Sequence, residues 1–229
     1  MTTPAIALGG QIRFRPTRRQ RYEMKVKRAF DVVVAAVLLV LLSPLFLAVA
    51  IAVRLDSPGP VLFLQNRVGQ GGRLFNLLKF RSMYADADEA VHREVMRQFA
   101  KGEPVRVIDG RPVFKPLDDP RVTRVGRLIR TTNIDELPQL INVLKGEMSL
   151  VGPRPVIPYE LELFGEAHYR RLAVPQGITG LWQVKREQTR SLADVLNLDL
   201  EYVDRFSLLL DLQIILRTFP KLLPRPWSF

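Results

Sequence analysis

Asp135 and Glu136 form the densest concentration of chemistry in this chain. Arg121, Arg124, Arg127 and Arg130 precede these adjacent carboxylates, and Arg154 follows in Gly152-Pro153-Arg154-Pro155. At a helix N-terminus the helix dipole holds carboxylates ionised, and the same free N–H groups can bind a phosphate. An ionised aspartate can attack phosphorus and form an acyl-phosphate. Arginines neutralise a diphosphate and the charge that develops in its transfer. Oxygen ligands of this kind also suit a magnesium ion. The bland alternative is that Asp135 and Glu136 cap a first helical turn and the arginines simply pair with them. By spacing alone that alternative is the commoner outcome.

These residues need elements to hold them. Asp135 to Lys145 reads as a helix, its start set by Pro138, tolerable only in a first turn, and its end by Gly146. Val125 to Arg130 is a second helix. Pro153, Pro155 and Pro158 interrupt the chain before a helix over Tyr159 to Leu172, and Gly177 and Gly180 bracket a loop leading to Leu181-Trp182-Gln183-Val184. Val61 to Gln65 and Leu74 to Phe80 are short strands around the glycines 69, 71 and 72. Ala85 to Ala100 reads as a polar helix, and Val105–Val107 and Pro112–Lys115 flank Asp109-Gly110 as a hairpin. Leu192 to Phe206 alternates apolar and acidic faces at helical spacing. Leu208 to Leu223 is either a core helix or a helix in a membrane interface, with Trp227 and Phe229 as anchors. The fold class is therefore mainly α with a few short strands.

Val32 to Val53 carries no charge and matches the roughly 20 residues a helix needs to cross a bilayer core. It is not a secretory signal: it is long, lacks a small-residue cleavage site and follows a basic tail. Hydropathy alone reads it as one crossing with a proline kink. Ser43-Pro44 near its middle breaks the helix, and basic residues flank it on both sides, among them Arg21, Lys25, Lys27 and Arg28 before and Arg54, Arg67 and Arg73 after. Positive flanks stay in the cytoplasm, so a re-entrant helix satisfies both features. Ser43 can bond a carbonyl freed by Pro44. Asp31, at the mouth of the segment, is expected to cap the helix and pair with Lys27, Arg28 and Arg54.

The 229 residues are 47% hydrophobic, enough to fill a sizeable core, and the formal charge is +11. That balance suits a phosphate-rich partner. No cysteine is present, which excludes disulfides, thiolate zinc sites and cysteine nucleophiles; His92 and His168 are too few for a histidine metal site. A basic membrane scaffold or nucleic-acid binder is a rival reading. The charge is spread along the chain without interleaved aromatics, which disfavours nucleic acid.

Several ordered stretches carry a resemblance: Lys27-Arg28-Ala29-Phe30-Asp31, Ser57-Pro58-Gly59-Pro60-Val61, Gln65-Asn66-Arg67-Val68-Gly69, Lys79-Phe80-Arg81-Ser82-Met83, Asp119-Pro120-Arg121, Asp135-Glu136-Leu137-Pro138-Gln139-Leu140, Asn142 to Ser149 and Val151 to Pro155. With Ser43-Pro44 they resemble the small monotopic phosphoglycosyl transferases from about Lys25 to Leu223. These are also called bacterial sugar transferases or polyprenyl-phosphate hexose-1-phosphate transferases. The resemblance implies a re-entrant membrane helix bent at Ser43-Pro44. It also implies transfer of a sugar 1-phosphate from a UDP-sugar to undecaprenyl phosphate, with release of UMP and with magnesium. Asp135 would be the nucleophile that carries the phospho-sugar. Glu136 would help hold the metal (Asp135 being its other ligand) or activate the acceptor. Arg130 and Arg154 match phosphate-contacting arginines, and Lys79 and Arg81 are carried over as substrate contacts.

Two departures stand out. Gln176 separates Pro175 from Gly177, and Glu187 occupies a family arginine position, for which Arg186 or Arg190 is the candidate replacement. The implied organisation is a basic tail (1–22), a re-entrant helix (23–56) and a cytoplasmic catalytic part (57–229) with a peripheral insertion at 84–118, together one functional domain. The implied place is the bacterial inner membrane, cytoplasmic face, in contact with its lipids, at the first membrane step of glycan assembly. The sugar and the pathway stay open, as does the oligomeric state, with a homodimer among the alternatives. A rival mechanism joins donor and acceptor directly, without a covalent step.

Overall fold

Thr17 starts the first helix, α1 (Arg18–Leu41), with a capping box: its hydroxyl accepts from the Gln20 N–H, and the Gln20 amide oxygen accepts from the Thr17 N–H. Thr17 also opens the part of the chain that the computed structural model describes: residues 17–85, 119–164, 166–186, 189 and 191–222, with 94, 97, 98, 106–108 and 111–113 between the first two stretches. Most of the expected helix over 85–100 lies outside the described residues. So do residues 1–16, Asp109-Gly110, Glu187, Arg190, Trp227 and Phe229.

At Leu42 the chain turns and resumes as α2 (Ser43–Asp56), the two axes bent by 62°. Pro44 has no N–H to give the Val40 carbonyl, and Ser43 Oγ donates to that oxygen instead at 2.8 Å. Among the described residues no single helix is long and apolar enough to cross a membrane; the bent pair together has the length and composition of a broken span or re-entrant loop. Val33, Val37, Val40 and Leu41 on α1 and Leu47, Ile51 and Leu55 on α2 are exposed at helical spacing. Each helix therefore presents one bare apolar face.

The opposite faces are buried. Ala35 and its neighbours on α1 join a core with Phe75, Leu77, Leu140, Val143 and Tyr202, while Val49 and Val53 of α2 pack with Phe80 and Ile129. Asp31 is no cap. It lies inside α1, 2% exposed, accepting from the Leu150 N–H at 3.3 Å and pairing with Lys27 at 3.7 Å. Lys27 also meets Asp211 at 2.5 Å, and the Tyr202 hydroxyl lies 2.7 Å from Asp211. The expected partners Arg28 and Arg54 reach carbonyls instead: Arg28 those of Val143 and Leu144, and Arg54 that of Gly59.

An antiparallel hairpin follows, β1 (Leu62–Val68) with β2 (Leu74–Phe80), pairing Phe63 with Lys79, Gln65 with Leu77 and Arg67 with Phe75. The first strand runs three residues beyond the expected Gln65, because pairing with β2 continues to the glycine turn. The hairpin read around Asp109-Gly110 is present as β3 (Arg106–Ile108) and β4 (Arg111–Val113). Then come α3 (Arg124–Thr131), capped by Thr123, and α4 (Gln139–Lys145), which ends at Gly146 with φ 81°. A parallel pair, β5 (Ser149–Val151) and β6 (Gly177–Thr179), replaces the loop expected between Gly177 and Gly180. The helix expected over Tyr159–Leu172 is two 3-10 segments, Pro158–Leu163 and Glu166–Ala173, separated at Phe164, whose backbone is extended. A short helix α5 (Leu181–Val184) leads to α6 (Leu192–Asp204) and α7 (Leu208–Leu222). The last helix serves both expected roles: Leu210 and Ile214 are in the core, whereas Leu209, Leu212, Leu216 and Phe219 are exposed. Helix dominates, with short strands in two-stranded sheets.

Candidate active site

Asp135 and Glu136 do not stand at the start of an α-helix. Asn133 takes a left-handed conformation (φ 55°), which asparagine tolerates better than most residues. Ile134–Glu136 then form one 3-10 turn, with Glu136 N–H donating to the Asn133 carbonyl and Leu137 N–H to that of Ile134. α4 begins only at Gln139, after Pro138. Proline supplies no N–H, so the helix cannot run back through the dyad with a continuous ladder. The dipole argument for the dyad thus gives way to tertiary contacts. Asp135 is buried; Glu136 is half-buried, and its Oε1 accepts from Lys79 Nζ at 2.9 Å.

Lys79 arrives by strand alternation. Leu77 and Lys79 share a face of β2, and Arg67 stands on the same face of β1, opposite Phe75. That face lines a shallow cleft together with Glu136, Gln139, Arg154 and Gln183. Asn142 keeps the hairpin in place. Fully buried, it accepts from the Leu78 N–H at 3.0 Å and donates to the Asn76 carbonyl at 2.8 Å and to Glu147 at 2.6 Å.

The far wall is the loop of Gly152 to Pro155. A side chain at Gly152 would lie 2.2 Å from the Pro175 carbonyl oxygen, and one at Gly177 would lie 2.0 Å from the Gly152 nitrogen. Only glycine permits β5 and β6 to cross this closely. Arg154 then lines the cleft with Arg67 and Glu136. Three cations, Arg67, Lys79 and Arg154, face one carboxylate, Glu136. Burial, and next the charge of Arg154, lower the Arg67 pKa to about 10. Arg186 follows α5 as an exposed side chain and is not among the residues that line the cleft. A cleft this positive can bind a diphosphate.

Of the site residues read from the sequence, Lys79, Glu136 and Arg154 meet in the cleft. Asp135 is adjacent in the turn, buried, and not among the lining side chains. Arg130 lies in the last turn of α3, where its charge helps lower the Asp119 pKa. Arg81 is buried and donates to the carbonyls of Ser57 and Pro58 at 2.6 and 2.7 Å, pinning the turn after α2 rather than facing the cleft. Among the described residues no group of three or more acidic or histidine side chains could hold a metal by itself. Asp135 and Glu136 supply two adjacent carboxylates, the type of oxygen donor that a magnesium ion prefers. Sequence reading missed Arg67, Gln139 and Gln183. Arg67 lies inside a quoted motif, and only strand register shows that it shares a face with Lys79.

A family model described as bacterial sugar transferase matches residues 22–225 of this chain. The chain is 43% identical over 194 residues to "Exopolysaccharide production protein ExoY" of Sinorhizobium fredii, covering 85% of this chain and 84% of that one. It is 44% identical over 211 residues to "Undecaprenyl-phosphate glucose phosphotransferase" of Komagataeibacter xylinus, covering 87% of this chain and 36% of that protein. It is 40% identical over 205 residues to "UDP-glucose:undecaprenyl-phosphate glucose-1-phosphate transferase" of Caulobacter vibrioides, covering 86% and 69%.

Proposed function

This chain belongs to the bacterial sugar transferase family, and we propose that its cleft is where a UDP-sugar gives up its sugar 1-phosphate. The enzyme is a phosphoglycosyl transferase that moves a sugar 1-phosphate onto a polyprenyl phosphate. The observation that carries the finer reading is the meeting of Arg67, Lys79 and Arg154 with Glu136, beside Asp135. Cations held in a partly dry cleft stabilise the charge of a diphosphate and the charge that builds on the leaving phosphate.

In this reading an Asp135 carboxylate oxygen attacks the sugar-bearing phosphorus. The bond from that phosphorus to the bridging oxygen breaks, and UMP leaves with the electron pair. A phosphate oxygen of undecaprenyl phosphate then attacks the Asp135 acyl-phosphate, frees the carboxylate and forms the polyprenyl-diphosphate sugar. Glu136, held by Lys79, stands where it can position or deprotonate the acceptor. Magnesium, when bound through Asp135 and Glu136, supplies further charge neutralisation. The bent pair α1–α2 enters the cytoplasmic face of the inner membrane and leaves on the same side. Its bare apolar faces, and that of α7, support this. The product suits the first membrane step of exopolysaccharide or a related glycan.

Asp135→Asn is expected to abolish UMP release across a panel of UDP-sugars; undiminished turnover would remove Asp135 as nucleophile. Direct displacement is the rival that the burial of Asp135 favours. A phospho-sugar trapped on Asp135 with donor alone excludes it, and failure to trap one in an active preparation supports it.

A further inference from the structure

The Gly152-Pro153-Arg154-Pro155 loop lines the cleft, yet its two prolines offer no N–H by which a neighbour could hold it. Gly152 N–H donates to the Thr179 carbonyl at 2.9 Å, and from Pro153 onward successive carbonyls each accept a bond. Pro153 O accepts from Gly177 N–H at 2.9 Å, Arg154 O from Arg171 Nη2 at 2.9 Å, Pro155 O from Arg67 Nη1 at 3.0 Å and Val156 O from Val68 N–H at 2.8 Å. The two central donors are guanidiniums buried to 2% and 4% exposure. Each has its own buried carboxylate: Asp199 at 2.5 Å from Arg171, and Glu160 at 3.8 Å from Arg67.

We propose that Arg171 with Asp199, and Arg67 with Glu160, are positioning pairs that clamp the backbone on either side of the Arg154 side chain and so aim that side chain into the cleft. The inference rests on the reading that Arg154 binds donor phosphate. The Arg171–Asp199 pair is costly if its role is packing alone. Asp199 Oδ1 and Arg171 Nε and Nη1 have no partner among the described residues, and a well-packed apolar pair of the same volume often serves stability as well or better. A fixed guanidinium fork, by contrast, sets the place of a carbonyl and not just its burial. The segment that carries Arg171 is itself tied down. The Phe164 ring lies 5.4 Å from the Arg171 guanidinium, and Gln176 Nε2 donates to the carbonyls of Arg171 and Val174 at 3.1 and 2.9 Å. Gln176, one of the two departures from the pattern that the chain resembles, belongs to this clamp.

The test is a double-mutant cycle on UDP binding to the full chain in detergent micelles, with melting temperature as the check on folding. Arg171→Met is expected to weaken UDP binding about tenfold in the wild-type background. In an Arg154→Lys background, where the clamped fork is already gone, the same change should alter binding less than about twofold. Where Arg171→Met does not fold, Asp199→Asn keeps the guanidinium but loosens it and goes through the same cycle. Equal losses in both backgrounds, or no loss in the wild type, overturn the clamp. The parent reading fails separately: coupled UDP binding without UMP release from any UDP-sugar leaves the clamp standing and removes the transfer reaction.

Discussion

Replacing Lys27 by methionine isolates one buried contact that ties the bent pair α1–α2 to α7. Lys27 Nζ sits 2.5 Å from Asp211 and 3.7 Å from Asp31, with all three side chains at most 3% exposed. At 2.5 Å and an effective dielectric constant of about 20, the stronger attraction is about 6–7 kcal/mol. Burial offsets much of it: burial is the largest cause of the raised Asp211 pKa, ahead of the opposing effect of Lys27. Removing one partner of such a buried pair costs about 3–5 kcal/mol, because the other charge is left uncompensated. In a domain of this size each kcal/mol shifts the melting temperature by about 2–4 °C, so the fall is about 10 °C. Without Lys27 the attraction that opposes burial at the Asp211 carboxyl is gone. The folded pKa then stands further above the ordinary value of 3.8. The loss is therefore full above that raised pKa and shrinks as pH falls through it toward the unfolded value. Thermal unfolding of the full chain in detergent between pH 5 and 8 reads both effects. A loss below about 1 kcal/mol would refute the reasoning, as would a loss that grows on acidification.

Asn142→Ala leaves the Leu78 N–H and the Asn76 carbonyl without their partner, and a loss of about 2–4 kcal/mol is expected in chemical unfolding. Ser43→Ala removes the hydroxyl bond to the Val40 carbonyl, which keeps a backbone N–H at the end of α1, with an expected loss of about 0.5–1.5 kcal/mol. Adding Pro44→Ala should recover it, since an N–H returns at position 44; no recovery would mean the hydroxyl bond carries nothing. The Arg121 guanidinium holds the Asp119 carboxyl below its ordinary 3.8. Its contribution is thus present above about pH 4 and lost as pH falls through the lowered value. Asp119→Asn should flatten the fall in melting temperature between about pH 4 and pH 2, and an unchanged slope would count against the pairing.

The sequence was most legible where one residue type has one physical consequence. Ser43-Pro44 marked a break because proline lacks an N–H, and the break is there, with Ser43 bonding the freed carbonyl. Gly146 marked the end of α4, and Leu74–Phe80 read as a strand with the bounds it has. Legibility failed where local patterns admit several partners. The dyad read as a helix start, yet the left-handed Asn133 and Pro138 set it in a separate 3-10 turn. Asp31 read as a cap, yet its partners come from α1 itself, from β5 and, through Lys27, from α7. Gly177–Thr179 read as a loop because a three-residue parallel strand has no pattern of its own without the strand it pairs with.

The order of motifs, the uncharged segment and the excess of positive charge were all determined by sequence alone, since each is local or additive along the chain. Which cations share a cleft was decided only by tertiary structure. Arg67, Lys79 and Arg154 meet because a hairpin register and a parallel strand crossing bring them together. Arg81, two positions beyond Lys79, is drawn instead to the carbonyls at the end of α2. A guanidinium bonds whichever buried oxygen the fold delivers to it, and spacing along the chain does not say which oxygen that will be.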